Sequence, residues 1–131
     1  MPRILVIEDE PLVRDTIKKR LKIEGFEVTT ADDGQKGVKS FRENPADLVI
    51  TDIIMPEKEG IECIKELKRD FPDVKIIAIS GGGRIGPFDY LDLAMKFGAL
   101  RTFKKPFDWP DMLNAIRELL NLPLVPKAVK E

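Results

Sequence analysis

Four places along this 131-residue chain carry side chains that could do chemistry together. Glu8 and Asp9 follow the apolar run at 3–7, and Asp52 follows the run at 48–51. Ser80 follows the run at 74–79, and Lys104 and Lys105 follow that at 101–103. Crowded carboxylates repel one another and cost free energy to desolvate, so they persist where a cation neutralises them. Oxygen ligands from carboxylates, a backbone carbonyl and water suit Mg²⁺. An aspartate is ionised at neutral pH and acts as a nucleophile without a general base. A lysine beside it lowers carboxylate pKa values and offers positive charge to a transferred phosphoryl group. The residue types therefore fit phosphoryl transfer to Asp52. Mg²⁺ and Lys105 would offset charge on the equatorial oxygens of a loose transition state, and Ser80 would hydrogen-bond a phosphoryl oxygen.

Other chemistries are excluded by what the chain lacks. It has no histidine, which removes Ser-His-Asp triads, Cys-His dyads, His-ligated zinc and histidine phosphocarriers. Its one cysteine, Cys63, leaves no intrachain disulfide and fits a reducing cytosol, so a cytoplasmic location is expected. The composition is 43% hydrophobic and 34% charged with a formal net charge of −1, as in a globular domain with no basic face for nucleic acid. No run approaches the roughly 18 apolar residues of a spanning helix, so no membrane partner is expected. The apolar run at the N-terminus is too short for a signal-peptide core.

These residues need a scaffold, and the hydrophobic pattern supplies one. Short β-branched runs at 3–7, 26–31, 48–51, 74–79 and 101–103 read as strands. Helical patterns at 12–24, from Asp32 or Asp33 to about Asn44, and at 61–71, 88–97 and 109–120 alternate with them. Pro11 suits a first helical turn, Gly25 and Gly98 suit helix ends, and Asp108 or Asp111 is a candidate cap for the last helix. Five such βα units predict an α/β fold with a parallel sheet between helical layers and right-handed crossovers. In an open parallel sheet the site lies at the carboxyl ends of the strands, where all four groups of residues stand.

The motifs Ile4-Leu5-Val6-Ile7-Glu8-Asp9, Asp52-Ile53-Ile54-Met55-Pro56 with Gly60 eight residues after the aspartate, Ser80-Gly81-Gly82 and Lys105-Pro106-Phe107 resemble the receiver domain of bacterial two-component response regulators. The resemblance covers about residues 3 to 120. It implies a flavodoxin-like (βα)₅ three-layer sandwich with strand order 2-1-3-4-5. It also implies a phosphoacceptor that catalyses only its own phosphorylation and dephosphorylation. Asp52 would be phosphorylated by a sensor histidine kinase or a histidine phosphotransfer protein. Glu8, Asp9, Asp52 and the Ile54 carbonyl would hold Mg²⁺, with Ser80 as the switch hydroxyl and Lys105 paired with the phosphoryl group.

The chain departs from that pattern in two places. Thr102 stands at the switch position where the family has an aromatic. The segment from Ser80 to Gly98 is longer than the common pattern, so Gly81–Pro87 is expected to move in its place. With residues 1–121 assigned to the receiver and 122–131 to a short tail, a stand-alone CheY-like type is expected. Output would then be by binding a downstream target protein, or by a homodimer through the last two helices and fifth strand. Tyr90, Leu91, Met95, Arg101, Trp109 and Arg117 are candidate contacts there.

Blander and rival readings stand beside these. Glu8–Glu10 could merely favour a helix dipole. Lys104 reads as a surface lysine, Cys63 as inert packing and Trp109 as packing of the last helix. A Mg²⁺–aspartate hydrolase would need a second catalytic acid, a role closed to Ile54. A partner-binding relative without phosphorylation would not need the intact set of Glu8, Asp9, Asp52, Ser80 and Lys105. Gly81, Gly83 and Gly86 fit a dinucleotide-binding spacing, but after the fourth strand rather than the first.

Overall fold

The computed structural model describes residues 2–53, 60–80 and 90–124, with the side chains of residues 90 and 91 left aside. Its elements alternate strictly: β1 (Arg3–Ile7), α1 (Pro11–Ile23), β2 (Glu27–Ala31), α2 (Gly34–Glu43), β3 (Leu48–Asp52), α3 (Gly60–Asp70), β4 (Ile76–Ser80), α4 (Tyr90–Phe97), β5 (Arg101–Lys104) and α5 (Trp109–Leu119). The strands form one parallel sheet in the order β2-β1-β3-β4-β5. Both the α/β class and the strand order match the expectation from the sequence.

Side chains alternate across the sheet and build two separate cores. Ile4, Val6, Leu48, Ile50, Ile77 and Ile79 pack with Ile17 and Leu21 of α1 and with Met112 and Ile116 of α5. Leu5, Ile7, Val49, Ile76 and Ala78 face Val38 and Phe41 of α2, Cys63 and Leu67 of α3, and Ala94 of α4. The central strands are therefore buried on both faces, which is why they read as continuous apolar runs. Cys63 is fully buried in the second of these cores, in line with a packing role.

Helix ends follow local chemistry. The Asp33 side chain caps α2 by accepting from the Lys36 N–H at 2.8 Å, while Asp32 pairs with the Lys36 ammonium. Asp108 occupies the position before α5 but makes no side-chain cap. Pro110, as the second helical residue, lacks one of the N–H groups such a cap would use, and Asp111 lies in the first turn. At the other end of α5, Asn121 takes a left-handed φ of 59°. Its N–H donates to the Glu118 carbonyl at 3.2 Å, and the Leu122 N–H to Arg117 at 2.8 Å. This paired closure satisfies two orphan carbonyls and folds Leu122 against the core.

Most boundaries differ from the sequence reading by a residue or two, and three of them show why. β4 starts at Ile76, because the Val74 N–H turns back to the Phe71 carbonyl at 2.9 Å and leaves residues 74 and 75 as the lead-in. β5 runs on to Lys104, paired with Ser80. α3 starts one residue early, at Gly60. Residues 81–87, expected to move, lie outside the described residues.

Asn121 tests the helix closure. Asn121→Val puts a β-branched side chain at positive φ and is expected to lower unfolding free energy by about 1–2 kcal/mol. Asn121→Gly should leave it unchanged or raise it slightly. Urea denaturation of the three proteins measures both.

Candidate functional site

The carboxyl ends of β1, β3, β4 and β5 meet at one rim. The Glu8 N–H donates to the Ala31 carbonyl at 3.0 Å, so β1–β2 pairing continues past the strand and draws the acid inward. The Glu8 side chain is 0% exposed, and Asp52 at the end of β3 is also buried. Oxygens of Glu8, Asp9 and Asp52 all lie within 4.8 Å of one another. All three donors are hard carboxylate oxygens, which fits Mg²⁺. The Ile54 carbonyl, expected as a further ligand, lies outside the described residues.

Lys105 closes the cluster. The Lys105 N–H of the main chain donates to the Ser80 carbonyl at 2.7 Å, which continues the β4–β5 ladder by one residue and aims the side chain at the acids. Its Nζ reaches Glu8 Oε1 at 2.9 Å, Asp52 Oδ2 at 3.1 Å and Glu10 Oε1 at 3.3 Å. The peptide bond between Lys105 and Pro106 is cis. Lys104, by contrast, is exposed, as expected of a surface lysine.

The electrostatics follow from burial and pairing. Burial pushes the Glu8 carboxyl from 4.5 up to about 7; the Lys105 hydrogen bond opposes this and the Asp52 charge adds to it. Burial works against the Lys105 ammonium, but its bonds and charge contacts with Glu8 and Asp52 hold it above the usual lysine range. The pocket thus contains a lysine fixed in its charged form beside an acid that gives up its proton reluctantly.

Gly60 packs against the end of β3 beneath the site. Its N–H donates to the Ile53 carbonyl at 3.2 Å. A Cβ there would lie 2.1 Å from the Asp52 carbonyl oxygen and 2.4 Å from the Ile53 Cα, both backbone atoms that cannot step aside. The spacing of eight residues from Asp52 to a glycine therefore has a steric cause. Thr51 adds a hydroxyl bond to the same Asp52 carbonyl at 3.0 Å.

Ser80 ends β4 and is buried. Alternation places it and Thr102 on the α4 side of the sheet, since Phe103 packs on the α1–α5 side. Thr102 pairs with Ala78, two residues before Ser80, and is half-buried. Gly82 lies outside the described residues.

The expected contact face divides in two. Met95 is exposed, and Arg101 lies at the surface tied to Glu118 at 3.0 Å. Trp109 and Arg117 turn to α1 instead: the Arg20 guanidinium sits 5.5 Å over the Trp109 ring, and Arg117 pairs with Glu24 at 3.6 Å. Tyr90 and Leu91 have no described side chains. What the sequence reading missed is Glu10, read only as an acid between the first strand and the first helix. It lines a groove of about 840 Å³ between α1 and the start of α5, together with Lys105, Leu12, Arg20 and Trp109. No helix among the described residues is long and apolar enough to cross a membrane.

Comparison with known proteins bears on the whole arrangement. The family profile of the response regulator receiver domain matches residues 4–117. The chemotaxis protein CheY of Bacillus subtilis is 37% identical over 120 residues, covering 91% of this chain and 98% of its own. A response regulator receiver domain protein from Clostridium thermocellum superposes with a TM-score of 0.84 at 37% identity, covering 92% of this chain and 95% of its own. The response regulator TrrA of Thermotoga maritima, solved in complex with Mg(2+)-BeF, superposes with a TM-score of 0.80 at 33% identity, covering 91% and 99%. The chain belongs to the response regulator receiver domain family, the CheY-like domains of two-component systems.

Proposed function

We propose that this receiver accepts a phosphoryl group on Asp52 from a sensor histidine kinase or a histidine phosphotransfer protein, and then signals by binding a downstream protein. The observation that carries the reading is Lys105 Nζ at 3.1 Å from Asp52 Oδ2, within a cluster of three carboxylates. An Asp52 oxygen attacks phosphorus, the bond from phosphorus to the donor's imidazole nitrogen breaks, and the imidazole regains a proton from solvent. Glu8, Asp9, Asp52 and the Ile54 carbonyl are the proposed ligands of Mg²⁺. Mg²⁺ held there offsets negative charge on the carboxylates and on the transferring oxygens.

Lys105 turns from the carboxylates to a phosphoryl oxygen, and the Ser80 hydroxyl hydrogen-bonds another. Thr102 stands at the proposed switch position, where the family has an aromatic. A homodimer through α4, β5 and α5 is a further proposed output, with Met95 and Arg101 on its face. A cytoplasmic location fits these partners.

Incubation with Mg²⁺ and a small acyl phosphate donor, followed by intact mass measurement, tests the central claim. One added phosphoryl group is expected in the wild type and none in Asp52→Asn. Substrate turnover would favour a hydrolase, and no adduct a partner-binding relative without phosphorylation. Lys105→Met should slow the reaction at least about tenfold, through loss of one charged donor to the transition state. Ile54 and Gly82 offer no group to position an attacking water, so a long-lived acyl phosphate is expected. Ile54→Asn should shorten its lifetime.

Glu8 gives a pH signature. Between about pH 4.5 and 7 the folded, metal-free protein keeps a proton that the unfolded chain has released. Its contribution to stability therefore falls as pH rises through that window and levels off above it. Mg²⁺ favours the ionised form, so its stabilising effect grows across the same window. Urea midpoints against pH, with and without Mg²⁺, should show both slopes reduced in Glu8→Gln.

A further inference from the structure

Glu10 occupies the position before α1 where a side chain ordinarily caps the first helical N–H groups, yet it makes no such bond. Pro11 removes one of those N–H groups as the first helical residue. The Glu10 main chain is held on both sides instead. Its N–H donates to Glu8 Oε2 at 3.1 Å, and its carbonyl accepts from the Arg14 N–H at 2.9 Å. The side chain is thereby directed over the rim, where its Oε1 stands 3.3 Å from Lys105 Nζ.

Lys105 has three carboxylate partners of two kinds. Glu8 and Asp52 are buried, whereas the Glu10 side chain is 63% exposed and sits on the groove side of the ammonium. From the geometry we infer that Glu10 is a positioning residue for Lys105: it competes with the incoming anionic group for the ammonium and so sets how readily the site takes a phosphoryl group. This rests on the reading of Asp52 as phosphoacceptor with Lys105 as its charge partner. Glu10 acts on the two ligands of the site in opposite directions. Its negative charge favours a cation in the pocket and disfavours an anion on Asp52. A residue that only supported the fold would move both affinities the same way.

Glu10→Gln keeps the size and the main-chain bonds but removes the charge. Calorimetric titration with Mg²⁺ alone, and with beryllofluoride at saturating Mg²⁺, measures the two affinities. The exposed pair is expected to shift each by about two- to fivefold. Mg²⁺ should bind more weakly to Glu10→Gln and beryllofluoride more tightly, with Glu10→Asp close to wild type in both. Weakening of both ligands, or an unchanged beryllofluoride affinity, overturns the role given to Glu10. A wild-type protein that binds Mg²⁺ but no beryllofluoride overturns the phosphoacceptor reading, and this inference with it.

Discussion

The Lys105 ammonium stands against a crowd of carboxylates in this fold. Lys105 Nζ contacts two acids that are almost wholly withdrawn from water, and a third acid, Asp9, lies within ligand distance of both. Removing charge from water is expensive, and like charges at this separation add to the cost. The arrangement is therefore a burden on the folded state that packing elsewhere must offset. The two cores supply that, because both faces of β1, β3 and β4 are filled mostly by Ile, Val and Leu.

The rest of the architecture serves to hold these charges in place. A parallel sheet sends all strand ends to one side, and helices on both faces keep water from the strands. The ladder between β4 and β5 extends to Lys105, and that between β1 and β2 extends to Glu8. Glu8 and Lys105 are thus each anchored by a backbone bond at the residue itself. Gly60 completes the frame by letting the start of α3 lie against the backbone of Asp52 and Ile53. Among the described residues, the supports of the site are strand ends and the first residue of α3.

Much of this was legible in the sequence because it depends on local pattern. Buried strands announce themselves as β-branched runs, and the residues that end them are the site. Glu8, Asp9 and Asp52 stand together as strand-end reasoning expects, and Lys105 reaches them. What was not legible depends on distant parts of the chain. The partner of Glu10 is 95 residues away, so nothing near Glu10 marks it as more than a helix-start acid. Arg117 turned to α1 because of the rotational phase of α5, which composition does not fix, whereas Trp109 packs against the core as its packing reading expects. Val74 has the makings of a strand residue, but the turn bond to Phe71 claims its N–H first.

The bond between Lys105 and Glu8 spans 97 residues, and that between Lys105 and Asp52 spans 53. β1 and β3 are neighbours in the sheet, whereas Lys105 follows β5, at the edge. A partly assembled sheet containing β1 and β3 without β5 would gather the acids and lack their cation. Such an assembly would carry more repulsion at its centre, and docking of β5 with Lys105 would relieve part of it. The charge cluster therefore penalises incomplete structures more than the finished one and couples the first strand of the chain to the last. The charge requirement of the site thus favours all-or-none assembly of the sheet.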